Sequence, residues 1–220
     1  ATAITETSLA LPFRFVGGTF PGTTGTCTAS LTPTSSCTLN IEFAPTGTGL
    51  VNDSIDISYN NGASTTSVIR TIEGTGAAPA LITISETNPY DYGNVTVGAT
   101  SSYTFTLSNT GSVTATAVGG SGLAAPFTFL GGSYPGTLGT CTNTINAGAS
   151  CTIVVEFAPT SAGATNDTID INYNNGVSAQ TSSRNVTGTG IAPALLTISH
   201  GPTYDFGLIA NGGTATNAFT

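Results

Sequence analysis

Phe127-Thr128-Phe129-Leu130-Gly131-Gly132 restates Phe13-Arg14-Phe15-Val16-Gly17-Gly18 at an offset of 114 positions, and the match runs on from there without a gap. Cys27 and Cys37 return as Cys141 and Cys151, and Glu42-Phe43-Ala44-Pro45-Thr46 returns as Glu156-Phe157-Ala158-Pro159-Thr160. Asn60-Asn61-Gly62 maps onto Asn174-Asn175-Gly176, Gly74-Thr75-Gly76 onto Gly188-Thr189-Gly190, and Tyr90-Asp91-Tyr92-Gly93 onto Tyr204-Asp205-Phe206-Gly207. About half of the overlapping positions are identical, so the chain is an internal repeat, and the repeat decides the architecture before any single residue does.

Within one copy, residues 79–192, short runs alternate apolar and polar residues between turn signals. They place strands at 80–85, 100–108, 114–118, 127–130, 151–157, 168–173 and 178–187. In the second of these Tyr103, Phe105 and Leu107 alternate toward a core, and Asn109-Thr110-Gly111 makes the turn after it. Asn174-Asn175-Gly176 reads as the hairpin turn before the last strand. No helical periodicity competes with this pattern. A unit of this size and strand count predicts an all-β chain of tandem immunoglobulin-like sandwiches.

The composition agrees and narrows the function. Thr is about a fifth of the 220 residues and there are 28 Gly, which suits pleated surfaces and turns. Charged residues are 6% of the chain, Lys is absent, and the net charge is −8. Neutralising phosphates takes Lys and Arg, so a nucleic-acid partner is excluded, as is a polybasic membrane-surface role. No apolar run approaches the length of a membrane span. The chain opens on Ala1-Thr2-Ala3 and reads as a mature product or a piece of one.

A strand ending in Gly-Thr-Gly, a Pro-Ala linker, Asp-(Tyr/Phe)-Gly after the first strand, and Cys-x9-Cys leading into Glu-Phe-Ala-Pro-Thr resemble the bacterial choice-of-anchor D repeats. These are similar to the Hydin-type (ASH-like) immunoglobulin-like domains of ciliary and centrosomal proteins. The resemblance covers one full and two partial copies. It implies secreted or cell-surface repeat proteins without activity of their own, and supplies no catalytic motif to carry across. The cytoskeletal branch is disfavoured by the paired Cys and by the lack of basic residues for acidic tubulin surfaces.

Four Cys in two equivalent pairs read as one disulfide per unit, Cys27 with Cys37 and Cys141 with Cys151, and hence as an extracellular or cell-surface location. Each bond stabilises its unit by about 3 kcal/mol in the chain-entropy model. Zinc is the rival reading, but it favours closer Cys spacing and His partners, and the only His is His200, where the preceding copy has Glu86.

Other chemistry is sparse. His200 has no repeated partner and reads as a solvated loop residue, so no catalytic residue and no cofactor are expected. Alternation in Ile55-Asp56-Ile57-Ser58-Tyr59 puts Asp56 on the solvent face. A sharper reading of the acids is calcium, with Asn52, Asp53 and Asp56 in one copy and Asn166, Asp167 and Asp170 in the next, although the pattern lacks a known calcium-loop spacing. Asn52, Asn94, Asn166 and Asn185 head Asn-x-Ser/Thr sequons and are glycosylation candidates. Without Lys, Lys–Asn isopeptide crosslinks are chemically unavailable.

The frame of the repeat leaves residues 1–78 as a unit lacking its first two strands. Residues 79–192 form a complete unit, and 193–220 are the first two strands of a third or donor strands for the next subunit. Such a cut exposes apolar core and unpaired edges. Two assemblies fit: a window on a covalent tandem array, or subunits joined head to tail by strand donation, with the molecule itself as partner. In either, Ala194, Leu195, Leu196, Ile198, Tyr204, Phe206 and Phe219 are the assembly residues. The expectation is an extracellular structural protein, a fibre, filament or stalk. The alternative is an adhesin-type module recognising glycan or host protein through Tyr90, Tyr92, Tyr134, Tyr173 and Tyr204, whose mostly aromatic repeat equivalents favour packing roles. A thiol titration of the denatured, unreduced chain is expected to find no free Cys, and four after reduction.

Overall fold

The computed structural model describes residues 1–6 and 9–220. Fourteen strands follow one another, and the described residues contain no helix. The first five are β1 (Thr2–Glu6), β2 (Phe13–Phe15), β3 (Ile41–Phe43), β4 (Gly49–Asn60) and β5 (Thr65–Gly76). The complete unit follows with β6 (Ile82–Ile84), β7 (Tyr90–Thr96), β8 (Ser101–Asn109), β9 (Ala115–Ser121) and β10 (Phe127–Phe129). It closes with β11 (Thr144–Ile145), β12 (Ser150–Phe157), β13 (Gly163–Asn174) and β14 (Ala179–Ile191).

The complete unit is a two-sheet sandwich. One sheet runs β10-β12-β8-β6 and the other β11-β9-β13-β14-β7. Side chains that alternate inward from both sheets fill the space between them. Phe105, Leu107, Phe127, Ile153, Val155, Phe157, Ile169, Ile171 and Val186 are all fully buried. Phe127 and Phe157 stack with ring centroids 4.7 Å apart. At roughly 1.5–3 kcal/mol for each fully buried large side chain, this layer is the main source of the unit's stability.

The repeated Gly-Thr-Gly has a packing reason. A Cβ on Gly188 would sit 2.6 Å from the Phe157 ring, and one on Gly190 would sit 2.2 Å from the Ser161 carbonyl oxygen. Gly74 and Gly76 meet Phe43 and the Gly47 carbonyl in the same way. A side chain at any of the four would force backbone or ring out of place.

The seven expected strands are present, and the structure adds two. β11 is a two-residue strand paired with β9. β7 pairs with β14 in parallel, Val186 opposite Tyr90 and Gly190 opposite Val95. It escaped the pattern because its register shifts around Tyr92-Gly93, where Gly93 takes φ +70° and its N–H is held by the Asp91 carboxylate at 2.8 Å. A strand carrying a bulge has no clean two-residue period to read. Residues 1–76 align with β9 to β14 of the complete unit. β13 also begins at Gly163, earlier than expected, where it pairs with Gly190.

Asn109, expected in a turn, ends β8 and is 1% exposed. Its Oδ1 accepts the N–H groups of Leu81 and Gly111, and its Nδ2 donates to the Val113 and Ile145 carbonyls. Four bonds to backbone from one buried amide tie the start of the unit to both sheets. Asn109→Ala leaves buried donors and acceptors unpaired. Urea unfolding is expected to show a loss of about 3 kcal/mol or more, given roughly 1–3 kcal/mol per orphaned group.

Candidate functional site: an open groove and an unpaired strand segment

The described residues among 1–76 repeat much of the framework of the complete unit in the same register. Phe13, Arg14 and Phe15 pair with Phe43, Glu42 and Ile41, as Phe127, Thr128 and Phe129 pair with Phe157, Glu156 and Val155. Gly49 to Asn60 pair with Gly76 to Thr65 in the register of β13 on β14. The Thr26 and Thr38 hydroxyls meet at 3.1 Å, as do those of Thr140 and Thr152. Cys27–Cys37 and Cys141–Cys151 are both disulfides, with S–S distances of 1.99 and 1.92 Å, so neither pair is a zinc ligand set. Cys141–Cys151 clips the loop after β10 to β12, and Cys27–Cys37 clips the loop after β2 to the stretch that leads into β3.

What differs is closure. No strand among the described residues pairs with the outer edge of β5, where β14 holds β7, or with that of β3, where β12 holds β8. β3 spans three residues where β12 spans eight. A groove of about 380 Å³ opens where the sandwich would close, lined by Ala1, Ile4, Leu31, Leu39, Ile57 and Tyr59 beside the Cys27–Cys37 bridge. The equivalents of the last three in the complete unit, Ile153, Ile171 and Tyr173, are buried.

The residues expected from the sequence to serve assembly lie in the last stretch of the chain. Ala194, Leu195, Leu196, Ile198, Tyr204, Phe206 and Phe219 are all exposed, with Leu196 at 96%. Residues 192–220 form no strand. They nevertheless hold the local shape of residues 78–106. Ser199 N–H donates to the Thr220 carbonyl at 2.8 Å, and Ser85 N–H donates to the Thr106 carbonyl at 2.9 Å. Thr220 N–H returns to Ser199 Oγ at 3.0 Å, matching Thr106 and Ser85 at 2.9 Å. Gly207 N–H is held by Asp205 at 2.8 Å, as Gly93 is by Asp91. His200, exposed, takes φ +74° where Glu86 takes φ +78°, and its ring meets Tyr204 and Phe219.

The calcium candidates do not assemble. The Asp53 carboxylate accepts the Ala10 and Ser54 N–H groups at 2.7 and 2.8 Å, and Asp167 accepts those of Ala124 and Thr168 at the same distances. Both are loop clamps with their oxygens in use. Asn52 and Asn166 are exposed, and as strand neighbours of Asp53 and Asp167 they point to the opposite face. Asp170 accepts the Ser183 hydroxyl at 2.6 Å. No group of three His, Cys, Asp or Glu able to hold a metal occurs among the described residues. Asp56, expected in solvent, is half-buried with Oδ1 covered and unpartnered. It lies near Glu6, whose carboxyl is pushed up first by burial, then by Asp53 and Asp56. Sequence patterning gave no sign of Glu6, because its equivalent is Gly120.

Asn52, Asn94, Asn166 and Asn185 all stand exposed on strands. Tyr90, Tyr92, Tyr134 and Tyr173 pack instead of presenting a face, while Tyr204 is exposed. Tyr173 is buried with its hydroxyl on Ile82 N–H, and Tyr92 donates to the Val155 carbonyl at 2.9 Å while packing against both Phe127 and Phe157. Burial raises the Tyr92 phenol strongly and pushes Tyr134 up to about 12. Tyr90 packs on Tyr103 with ring centroids 4.2 Å apart and meets Phe105 edge to face.

This two-sheet unit finds its counterpart among known families. Residues 83–189 match the family model described as HYDIN/CFA65/VesB-like, Ig-like domain. They form a Hydin-type immunoglobulin-like domain. The Hydin-type domain is just under half of the chain, and residues 1–76 repeat its later strands. No curated protein matches the chain. Among solved structures, the ASH/PapD-like domain 7 of human CEP192 is 17% identical, with TM-score 0.37, covering 51% of this chain and 87% of that one. The Vibrio cholerae VesB protease is 16% identical, with TM-score 0.41, covering 49% of this chain and 31% of its own. The secreted serine protease VesC of Vibrio cholerae is 11% identical, with TM-score 0.36 and coverages of 73% and 35%. The chain thus spans about a third of the length of either protease.

Raising the pKa of Glu6 on folding makes its protonated form the better folded one, so its contribution is present at low pH and is lost as pH rises through the carboxylate range. Glu6→Gln is therefore expected to raise the thermal midpoint of residues 1–76 at pH 7 and to leave it unchanged at pH 3, followed by circular dichroism.

Proposed function

We propose that this chain is an extracellular structural repeat protein, a segment or subunit of a fibre, filament or surface stalk built head to tail from Hydin-type units. One observation carries the reading. Successive stretches of the chain build the same framework with the same registers, the same loop clamps and one disulfide each, and residues 193–220 hold the local bonds that begin another unit. A run of like units in contact only with neighbours makes a quasi-linear body.

The surface chemistry supports it. Sheet proteins usually guard open edges with Lys and other charges, and this chain has three Arg, no Lys and a mean hydropathy of +0.21. Edges left open in this way favour association. Disulfides persist in oxidising compartments, which fits an extracellular site, and no helix of the described residues is long and apolar enough to cross a membrane. The domain family is generally non-catalytic, and the protein acts as material, not as an enzyme.

The oxidised chain, concentrated in neutral buffer, is expected to show a ladder of oligomers by sedimentation and unbranched filaments by electron microscopy. A monodisperse monomer at every concentration overturns the reading. The non-reduced mass of the native polypeptide then separates a covalent array, many times 21.8 kDa, from assembled subunits.

A further inference from the structure

We infer that the complete unit bears tension along the chain, and that β7 with the stretch before it, held against β14, is the clamp that resists the pull. The inference rests on the structural reading above and names the property that the unit contributes to it.

The chain enters and leaves the unit at opposite ends. On entry, Ala80 N–H donates to the Asn175 carbonyl at 3.0 Å, beside the hairpin that joins β13 to β14. On exit, β14 passes Gly163 at Gly190 and ends at Ile191, whose carbonyl accepts the Val97 N–H at 2.8 Å. Between these points lies β14, thirteen residues and so roughly 40 Å long. A pull between the chain before the unit and the chain after it is therefore directed along β14.

The entry and exit segments lie side by side and run the same way. Ser182 Oγ donates to the Ile82 carbonyl at 2.6 Å, and Arg184 donates to that of Ile84. Asn185 N–H donates to Asn88 Oδ1 at 3.0 Å. From Val186 opposite Tyr90 to Ile191 opposite Thr96 the backbones pair in parallel. Tension draws residues 80–97 toward the entry and β14 toward the exit, so the two segments are made to slide past each other. The bonds of a parallel pair are spread evenly along the strands, and sliding strains them together. Strands peeled apart from one end lose the same bonds one after another.

The surroundings back the clamp. Ile82, Ile84, Val95 and Val186 are buried, which shields the neighbouring bonds from water and strengthens them. Tyr92 ties β7 to the opposite sheet through the Val155 carbonyl. Just past β7, Gly98 N–H donates to the Pro159 carbonyl at 3.0 Å. Of the three Arg in this charge-poor chain, Arg70 and Arg184 occupy one position of the repeat.

The test pulls single oxidised 220-residue chains in two directions with optical tweezers. Handles at Ala77→Cys and Ala192→Cys load the unit from entry to exit, and handles at Ala99→Cys and Ala192→Cys peel the end of β14 from β7. Ala77, Ala99 and Ala192 are exposed, and the native Cys are all paired. At one loading rate the first direction is expected to need at least about twice the force of the second, because forced unfolding reports the barrier along the path taken. Asn88→Ala/Ser182→Ala is expected to lower the first force and leave the second unchanged, since the two bonds it removes lie far from the end that peels first. Equal forces in the two directions overturn the clamp, as does a double variant that lowers both forces alike or neither. Single chains give these readings, so assembly does not enter them. Filaments built from a unit without directional resistance leave the structural reading standing. A directional clamp in a chain that stays monomeric at every concentration supports the clamp and overturns that reading.

Discussion

The pairing of β8 with β12 is the constraint on which the rest of the unit depends. Along Ser101 to Ser108 it satisfies the inner edge of one sheet and drops Phe105 and Leu107 into the space between the two. The chain contains its own control. Where the equivalent of β8 is missing, β3 keeps three residues of strand and the side chains at Leu39, Ile57 and Tyr59 line an open groove. A sheet edge and an apolar face are one problem, since the strand that bonds the edge also carries the side chains that cover the face.

Around that constraint the chain uses few charges and many short-range clamps. Asp53 and Asp167 fix the loops before β2 and β10, paired Thr hydroxyls and a disulfide fix the loops after them, and Asn109 locks the start of the complete unit. These devices lie within a unit, and none of them uses the outer edges of β3 and β5. The residues 193–220 illustrate the division: their local bonds are made, and their apolar side chains remain in solvent.

Much of the candidate site was legible because repetition makes it so. Leu196, Tyr204 and Phe219 align with Ile82, Tyr90 and Phe105, and that alignment marks them as apolar positions that the structure leaves exposed. Other parts were not legible. Asp53 looked like a cation ligand in one dimension, because its true partner, the Ala10 N–H, is 43 residues away. Asp56 looked solvated from alternation in its own strand, although folding covers its Oδ1 and leaves it unpartnered. Glu6 belongs to no motif, and only folding brings it near two other carboxyls.

The sequence by itself determined the repeat, the all-β class and the cysteine pairing. Each of these is a matter of residue type and spacing, and a two-residue period or a recurring Gly-Thr-Gly survives without knowledge of what packs on it. Only the tertiary structure decided that β7 is a parallel strand, that the motif glycines face Phe157 and a carbonyl oxygen, and that the acids clamp loops. Parallel pairing joins segments about a hundred residues apart through backbone groups common to every residue, so side-chain order carries little trace of it.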